Sequence, residues 1–263
     1  MDMKMTGARA FISGSTQGIG FAIASALAHE GVEVVLNGRD GARVADAVDR
    51  LGSQVPGASV SGLPADLADG AQTEDLVERL GDVDILVNNV GEFGLSEFVR
   101  IGDDEWRRSF EVNVMSAVRL SRHVLPGMLE RGTGRILMIG TESAIDVPPD
   151  MLHYGATKAS ALALANGLGK LTRSTAVTVN TILGGPTYSD GVAATVQGLA
   201  QAQGMAEDSL KSAIMAQRES SLLERFIEPT EIAALAVFLA SPVSSAINGA
   251  AVRADGGVLT TTT

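Results

Sequence analysis

Tyr154 and Lys158 are the two residues of this sequence whose types and spacing most directly suggest chemistry. They lie four positions apart in a segment rich in alanine and leucine, so on a helix they share one face, with Cβ atoms about 5–6 Å apart. A phenol ordinarily loses its proton near pH ~10, and a cation held beside it favours the phenolate. The pair could therefore exchange a proton with an alcohol or a carbonyl oxygen. Ordinary surface pairs have the same spacing, so the interpretation depends on the surrounding motifs.

Composition excludes several other kinds of site. The chain has 263 residues, 45% of them hydrophobic and 19% charged, which is typical of a globular protein. Its net charge of −11 argues against a nucleic-acid partner or an anionic membrane surface. There is no cysteine, and the three histidines have no metal-ligand spacing, so we expect no metal. With neither a signal-type segment nor a run of 18 apolar residues, we expect a cytoplasmic protein.

Short strand patterns alternate with longer helical patterns along the whole chain. Strands are predicted near 8–13, 33–37, 58–62, 84–87, 135–139, 177–182 and 250–253, and helices near 18–30, 41–51, 71–80, 103–130, 151–172 and 230–239. A polar and helical excursion separates the sixth strand from the last helix. This alternation predicts a single α/β domain over residues 1–263, with a doubly wound, Rossmann-like parallel sheet and helices on both faces.

A glycine-rich loop follows the first predicted strand. Gly14, Gly18 and Gly20 have the spacing Gly-x3-Gly-x-Gly, and Ser15, Thr16, Gln17 and Ile19 lie between them. Glycines at this position allow a tight turn and let backbone N–H groups at a helix N-terminus approach a pyrophosphate. The same glycines could also form a simple turn, but their place directly after the first strand favours a dinucleotide site.

Together these motifs resemble the short-chain dehydrogenase/reductase family over nearly the whole chain. The matching elements, in order, are Gly14 to Gly20, Asp66-Leu67, Asn88-Asn89-Val90-Gly91, Asn113, Tyr154 with Lys158, and Asp255-Gly256-Gly257. The resemblance implies an oxidoreductase that binds a nicotinamide dinucleotide.

The resemblance also implies roles for individual residues. Asp66 and Leu67 would lie at the adenine, although Asp66 could instead begin a helix. Asn88 would tie neighbouring backbone segments together, and Asn89 would lie near the cofactor. Asn113 would bind a backbone carbonyl at a local kink and hold a water that relays protons to Lys158.

Cofactor choice depends on the end of the second strand. Members of the family that prefer NAD tend to have an acidic residue at the position of Gly38, where it binds the ribose hydroxyls and repels a 2′-phosphate. Here a glycine is followed by Arg39, whose planar guanidinium suits a phosphate. NADP(H) is therefore favoured and NAD(H) stays possible. Gln17 is not the basic residue that often reinforces NADP binding in the first loop, and Arg39 could also be a solvated residue at a helix start.

The sequence departs from the family pattern in two places. The serine that usually stands thirteen residues before the tyrosine is Thr141, and Ser143 follows two residues later, so either hydroxyl could hold the substrate oxygen. Gly184-Gly185 replaces the usual Pro-Gly before Pro186-Thr187, and Thr187 is expected to contact the cofactor. Residues 188–225 correspond to the family's substrate lid, with apolar positions at Val192, Leu199, Met205, Leu210 and Ile214 that could equally be ordinary packing.

The sequence thus predicts hydride transfer between NADP(H) and a small-molecule ketone or secondary alcohol. Tyr154 would be the general acid in reduction, and Lys158 would lower its pKa and bind the ribose. One alternative is an NAD-dependent alcohol dehydrogenase that acts oxidatively, and another is a catalytically silent NADP-binding regulator. The resemblance also implies a homotetramer in which the helices beginning near Asp103 and Met151 pack across subunits.

Overall fold

A seven-stranded parallel sheet is the centre of the computed structural model, which describes residues 2–218 and 220–262. The strands lie in the order β3-β2-β1-β4-β5-β6-β7. They span Arg9–Ile12 (β1), Glu33–Leu36 (β2), Val60–Gly62 (β3), Ile85–Asn88 (β4), Thr133–Thr141 (β5), Ala176–Gly184 (β6) and Ala251–Ala254 (β7). The order reverses between β1 and β4, which is the topological switch point where doubly wound sheets bind their ligands. The predicted fold is confirmed.

Nine α-helices are seen in the described residues. They span Gly18–His29 (α1), Gly41–Gln54 (α2), Gly70–Leu80 (α3), Asp103–Phe110 (α4), Ser116–Arg131 (α5), Leu152–Leu171 (α6), Asp190–Gln203 (α7), Glu207–Ala216 (α8) and Pro229–Ala240 (α9). Their starts follow local sequence: the Asp40 and Asp69 side chains accept hydrogen bonds from the first backbone N–H groups of α2 and α3. Pro229, at the first position of α9, has its φ angle already suited to a helix.

The core lies in two layers, one on each face of the sheet. β1 shows the division, because Ala10 and Ile12 pack towards α1, α2 and α9, whereas Phe11 packs towards α3, α5 and α6. All three side chains are completely buried. A strand that is buried on both faces needs apolar residues at successive positions, which is why β1 and β4 are nearly continuous hydrophobic runs.

The helix predicted over residues 103–130 is interrupted. A single π turn, Glu111–Met115, separates α4 from α5. Asn113 lies in this turn and is buried. Its side chain bonds to groups outside the helix, and the wider turn directs it towards them. An uninterrupted helix was therefore the wrong prediction, whereas the kink that the resemblance implied at Asn113 is present.

The described residues of the predicted lid, 188–218 and 220–225, include α7 and α8. α7 and α8 pack against each other through a small cluster of Val196, Ala200 and Leu210, with Tyr188, Val192 and Ile214 around it. Leu199 and Met205 are instead 45% and 40% exposed, so the apolar positions predicted here divide between packing and surface. Within the described parts of the chain, no helix has the length and apolar character needed to cross a membrane.

Candidate active site

A cleft runs along the carboxyl ends of the sheet and consists of two adjoining cavities. One has a volume of about 470 Å³, and its lining includes Thr141, Ser143, Tyr154 and Lys158. The other has a volume of about 460 Å³, and its lining includes Arg39, Asp66 and Leu67. Gly14, Gln17 and Asn89 line both. The cleft therefore brings together residues predicted for catalysis and residues predicted for cofactor binding.

Tyr154 and Lys158 occupy one face of α6, as their spacing predicts. The Lys158 Nζ lies 5.8 Å from the centroid of the Tyr154 ring and donates a hydrogen bond to the Ile139 carbonyl, at 3.0 Å. Burial lowers the pKa of Lys158 to about 8, because the charged ammonium is removed from water. This lysine can therefore gain or lose a proton close to neutral pH.

The pKa of Tyr154 moves in the direction opposite to the one we expected. Burial of the phenol raises it above its usual value, and the negative charge of Glu142 raises it further, while a hydrogen bond with Thr141 acts the other way. Lys158 does not outweigh these effects, since its ammonium is directed at a backbone carbonyl. A raised pKa keeps the Tyr154 hydroxyl protonated near neutral pH, which is the form that a general acid requires.

Asn113 connects the π turn to α6. Its side-chain Oδ1 accepts a hydrogen bond from the Glu92 backbone N–H at 2.8 Å, and its Nδ2 donates to the Glu92 carbonyl at 3.0 Å. The same Nδ2 also donates to the Thr157 hydroxyl at 3.0 Å. Asn113 thereby fixes the loop after β4 against α6, next to Lys158.

Thr141 ends β5, and Ser143 lies beyond the strand in a 3-10 turn, Glu142–Ala144. Ser143 is therefore outside the strand, and the alternation of strand side chains does not determine where its hydroxyl points. Both hydroxyls nevertheless point to the Glu142 carboxylate, with Thr141 Oγ1 at 2.5 Å and Ser143 Oγ at 3.4 Å. The Thr141 hydroxyl also accepts a hydrogen bond from the Ser143 backbone N–H. Thr141 is thus the more firmly held hydroxyl, and it is the one close enough to Tyr154 to lower the pKa of the phenol.

Two further charged residues of the cavity, Glu142 and Arg218, were not predicted from the sequence. The Glu142 side chain is only 6% exposed, and its Oε1 lies 3.2 Å from Nη1 of Arg218, which follows α8. Both residues line the same cavity as Tyr154. An acidic residue directly after a candidate catalytic hydroxyl was a usable signal, but nothing in the sequence indicated that the arginine 76 positions later would meet it.

The glycine-rich loop has the backbone shape that its sequence indicates. Gly14 and Gly18 both have φ of +61°, a left-handed conformation that favours glycine. At Gly20 a Cβ atom would lie 2.5 Å from Asn89 Nδ2 and 2.6 Å from the Gly14 carbonyl, so only glycine fits. The loop can therefore lie close to β4, and the N-terminus of α1 faces the cleft.

The other loop residues divide between the cleft and the core. Thr16, Gln17 and Ile19 line the cleft. Ser15 is completely buried and donates to the Ile12 carbonyl at 2.7 Å, so it holds the loop together and does not line the cleft. Gly20 does not line the cleft either. It packs against Asn89, and this close contact is possible only without a side chain.

Two asparagines tie the loop to the neighbouring strands. Asn89 Nδ2 donates to the carbonyls of Ser13 and Gly14 at 3.0 and 2.9 Å, which is the role expected of Asn88. Asn88 instead donates to the Ser121 hydroxyl of α5. Asn37, which we did not predict, accepts from the Gly14 N–H through its side chain at 3.2 Å. The direction of these side chains follows from the ends of β2 and β4, which the sequence placed only to within a residue.

The second cavity presents two guanidinium groups beside Gly38. Arg39 and Arg43 both line it, and Arg43 also donates to the Gln17 side chain. A Cβ atom on Gly38 would lie 2.7 Å from Cγ2 of Thr16, so an acidic residue there would require Thr16 to move. Asp66 also lines this cavity, and it does not begin a helix, because Asp69 is the N-cap of α3.

Thr187 and Asp190 mark the start of the lid beside the glycine loop. Thr187 is buried, lines the first cavity and donates to the Gly185 carbonyl at 2.9 Å. Asp190 accepts a hydrogen bond from the Gly18 N–H at 2.6 Å. The N-terminus of α1 therefore already holds a carboxylate, which is the kind of group that helix N-termini attract.

Comparison with known proteins agrees with this geometry. A family model described as "Enoyl-(Acyl carrier protein) reductase" matches residues 14–259. YvrD of Bacillus subtilis (strain 168), described as an uncharacterized oxidoreductase, is 42% identical over 264 residues, which cover 98% of this chain and 99% of the relative. The chain belongs to the short-chain dehydrogenase/reductase family.

Two solved members of this family show how far the resemblance extends. L-sorbose reductase from Gluconobacter frateurii, solved with NADPH and L-sorbose, is 32% identical with a TM-score of 0.94, over 99% of this chain and all of that one. An actinorhodin polyketide ketoreductase, solved with NADPH, is 28% identical with a TM-score of 0.86, over 95% of this chain and 97% of that one. As a member of this family, the protein is an oxidoreductase that acts on CH–OH and C=O groups.

Proposed function

We propose that this protein reduces an uncharged ketone, or oxidises the corresponding secondary alcohol, with NADP(H) as the hydride carrier. The observation that carries the proposal is the wall of the first cavity, where Thr141, Tyr154 and Lys158 face the same space. A carbonyl oxygen that is reduced to an alcohol must be stabilised by a hydrogen bond and must gain a proton. Two hydroxyls next to a titratable amine can supply both.

The cleft fits a dinucleotide. Gly20 has no room for a side chain, and the N-terminus of α1 presents N–H groups to the cleft, so a pyrophosphate can approach the backbone there. At Gly91 a Cβ atom would lie 3.0 Å from the Lys158 Nζ, so a side chain there would require the lysine to shift. When bound, the nicotinamide dinucleotide would supply or accept the hydride. Lys158 and Thr187 would hold its nicotinamide half, and Asp66, Leu67 and Asn89 would line its adenine half.

The preference for NADP rests on charge at the end of β2. Arg39 and Arg43 face the second cavity, and Gly38 occupies the position where an acidic side chain would repel a 2′-phosphate. A guanidinium forms strong, charge-assisted hydrogen bonds with phosphate. Both solved relatives described above were determined with NADPH, which supports the same choice.

Each residue of the catalytic wall has a separate task. Tyr154 would donate its proton to the carbonyl oxygen. Thr141 donates its single hydroxyl proton to Glu142 in this structure, and on substrate binding it would turn that proton to the carbonyl oxygen and hold it by a hydrogen bond. Lys158, whose pKa is lowered to about 8 by burial, would return a proton to the tyrosine near neutral pH. Asn113 would keep the loop after β4 fixed against α6.

Two other functions are weaker proposals. Oxidation of an alcohol with NAD would need a ribose-binding acid at position 38, where Thr16 leaves little space. A catalytically silent NADP-binding regulator would have no need for the hydroxyls, the phenol and the amine that this chain keeps together in one cavity.

A substrate panel tests the proposal. Wild-type enzyme is mixed with NADPH or NADH and with ketones, a 3-oxoacyl thioester or an enoyl thioester, and nucleotide oxidation is followed by absorbance. We expect ketone-dependent oxidation of NADPH, slower oxidation of NADH and none with the enoyl thioester. Turnover of the enoyl thioester alone would show that the site reduces C=C bonds, and the proposal would be wrong.

Assembly and location are also proposed. The helices expected to pack across subunits both carry exposed apolar side chains, Phe110 on α4 and Leu171 on α6, which are 39% and 61% exposed. A contact between copies would bury these side chains. The homotetramer and its cytoplasmic location are proposed from the family resemblance and from the absence of a signal-type segment in the sequence. Light scattering on the purified protein gives the number of copies.

A further inference from the structure

The first cavity contains a carboxylate that the proposed reaction does not use. Glu142 lies between the two candidate hydroxyls, and its side chain is only 6% exposed. Buried carboxylates are costly unless they are hydrogen-bonded or paired. Glu142 meets this requirement with Thr141, Ser143 and Arg218 as its donors.

These three donors leave part of the carboxylate free to accept. A carboxylate offers about four lone-pair positions, of which three are used here. The Ser143 contact is long, at 3.4 Å, and so is weak. Because Glu142 lines the cavity, a hydroxyl group on a substrate could take the remaining position or replace Ser143.

The position of this acceptor relative to the reacting atoms is defined by Thr141. Its Oγ1 is the proposed partner of the carbonyl oxygen and lies 2.5 Å from Oε2 of Glu142. The carboxylate is thus two hydrogen bonds away from the reacting oxygen, with Thr141 Oγ1 between them. A hydroxyl on the carbon next to the carbonyl carbon can come within hydrogen-bonding distance of it.

Charge in the cavity excludes the alternative of an acidic group at that carbon. Arg218 is already paired with Glu142, and Lys158 is directed at the Ile139 carbonyl. Glu92, the other acidic residue of the lining, is paired with Arg108. A substrate carboxylate would therefore meet the negative charge of Glu142 in a buried site, where such repulsion is strong.

We infer that Glu142 is a specificity-determining residue, and that it selects uncharged substrates with a hydroxyl next to the carbonyl, namely α-hydroxy ketones and, in the reverse direction, vicinal diols. This inference rests on the proposed function and adds the substrate class. In the reduction, the carbonyl carbon gains the hydride, the oxygen gains the Tyr154 proton, and the neighbouring hydroxyl is unchanged while it donates to Glu142.

The mouth of the cavity shapes the rest of the substrate. Phe93 and Leu95 line it and are 50% and 66% exposed. Side chains of this kind can contact an alkyl chain on the other side of the carbonyl. A test substrate should therefore combine a polar end at Glu142 with an apolar tail.

Three ketones that differ only at the carbon in question provide the test. They are 1-hydroxyhexan-2-one, heptan-3-one and 2-oxohexanoate, which share a butyl tail and place a hydroxyl, a methyl or a carboxylate next to the carbonyl. Each is assayed for kcat/KM with NADPH. We expect the hydroxy ketone to exceed the other two by about ten- to hundredfold, the effect of one hydrogen bond to a charged group.

Glu142→Gln keeps the shape of the side chain and removes its charge. In this variant we expect the ratio of kcat/KM between the hydroxy ketone and heptan-3-one to fall at least tenfold towards one, and 2-oxohexanoate to become a better substrate. The ratio separates selection from positioning, because a disturbed Thr141 would slow all three ketones alike. Asp208→Asn, which neutralises a carboxylate on α8 that lies outside the cavity and has a 94% exposed side chain, is the matched control and should leave the ratio unchanged.

Arg218→Met keeps the inference testable if Glu142→Gln does not fold. Removing the counter-charge leaves the carboxylate in place, so the hydroxy ketone should stay preferred and 2-oxohexanoate should become still poorer. Equal use of the three ketones by the wild type, or an unchanged ratio in Glu142→Gln, would overturn the inference and leave the proposed function standing. No NADPH oxidation with any ketone would overturn the proposed function and the inference together.

Discussion

Replacement of Lys158 by methionine should make the stability of the protein less dependent on pH. Lys158 is almost completely buried, and burial lowers its pKa from 10.5 to about 8. Methionine has a similar length and no charge, so it removes the titration while keeping most of the packing. Loss of the hydrogen bond to the Ile139 carbonyl is nearly independent of pH, because a neutral amine also donates it.

The sign and the size follow from the shift. Below pH ~8 the lysine is protonated in both the folded and the unfolded chain, and the folded state bears the full penalty of the buried charge. Between about pH 8 and 10.5 the unfolded chain binds more protons, so the free energy of unfolding rises with pH. The shift of the Lys158 pKa lowers the free energy of unfolding by about 3 kcal/mol at low pH. About 2 kcal/mol of this loss is recovered as the pH rises from about 7 to 9.5.

The assay is urea unfolding without added nucleotide, at several pH values across this interval. The quantity to compare is the change in the free energy of unfolding with pH, since all other titrating groups are shared by the two proteins. Lys170→Met is the control, because it removes an exposed lysine from the same helix. The wild type and this control should gain about 2 kcal/mol more than Lys158→Met as the pH rises.

Parallel curves for the wild type and Lys158→Met would refute the reasoning. They would mean that water reaches the ammonium in the folded protein. Lys158 would then lack the near-neutral titration that its proposed role in returning a proton to Tyr154 requires.

Three further predictions concern the cleft. Arg39→Ala should weaken NADPH binding by about ten- to hundredfold and leave NADH binding nearly unchanged, because only NADPH loses a charge-assisted phosphate contact. Both affinities are measured by nucleotide fluorescence, and equal losses would show that Arg39 does not contact the phosphate. Thr141→Val should lower kcat by about 10²-fold and Ser143→Ala much less, since Thr141 is close enough to Tyr154 to lower the pKa of the phenol; the opposite ranking would assign the role to Ser143. Asp190→Asn should tighten NADPH binding about two- to fivefold, because the Asp190 carboxylate accepts from the Gly18 N–H, where a pyrophosphate would bind, and its negative charge repels that group. Weaker binding would mean that Asp190 supports the nucleotide.

Most of the fold could be predicted because each element has its own local pattern. The apolar runs of β1 and β4, the Asp40 cap of α2 and Pro229 at the start of α9 are short-range features, and the structure agrees with them to within a few residues. The break between α4 and α5 could not be found in this way. Residues 103–130 read as one helix, and the π turn depends on Asn113 reaching Glu92 and Thr157 on other elements.

In the candidate site, too, residues with a local sequence pattern could be predicted, and contacts between distant parts of the chain could not. Tyr154, Lys158 and the glycines have fixed spacing, so their position was predictable from the sequence. The pairing of Glu142 with Arg218 joins residues 76 positions apart, and the contact of Asp190 with Gly18 joins residues 172 apart. Neither has a local signal. The raised pKa of Tyr154 was missed for the same reason, since burial and Glu142, not the neighbouring lysine, determine its direction.

The catalytic role of Tyr154 is tested most directly by Tyr154→Phe. The measurement is kcat for reduction of the best ketone with NADPH, together with the dissociation constant of NADPH and the thermal unfolding of the variant. Removal of the hydroxyl leaves the ring, and with it the edge-on contact with Phe93, so folding and NADPH binding should be retained. We predict that kcat falls by at least about 10²-fold, the usual loss for a proton donor. Near-normal turnover in a folded variant that binds NADPH would contradict the account.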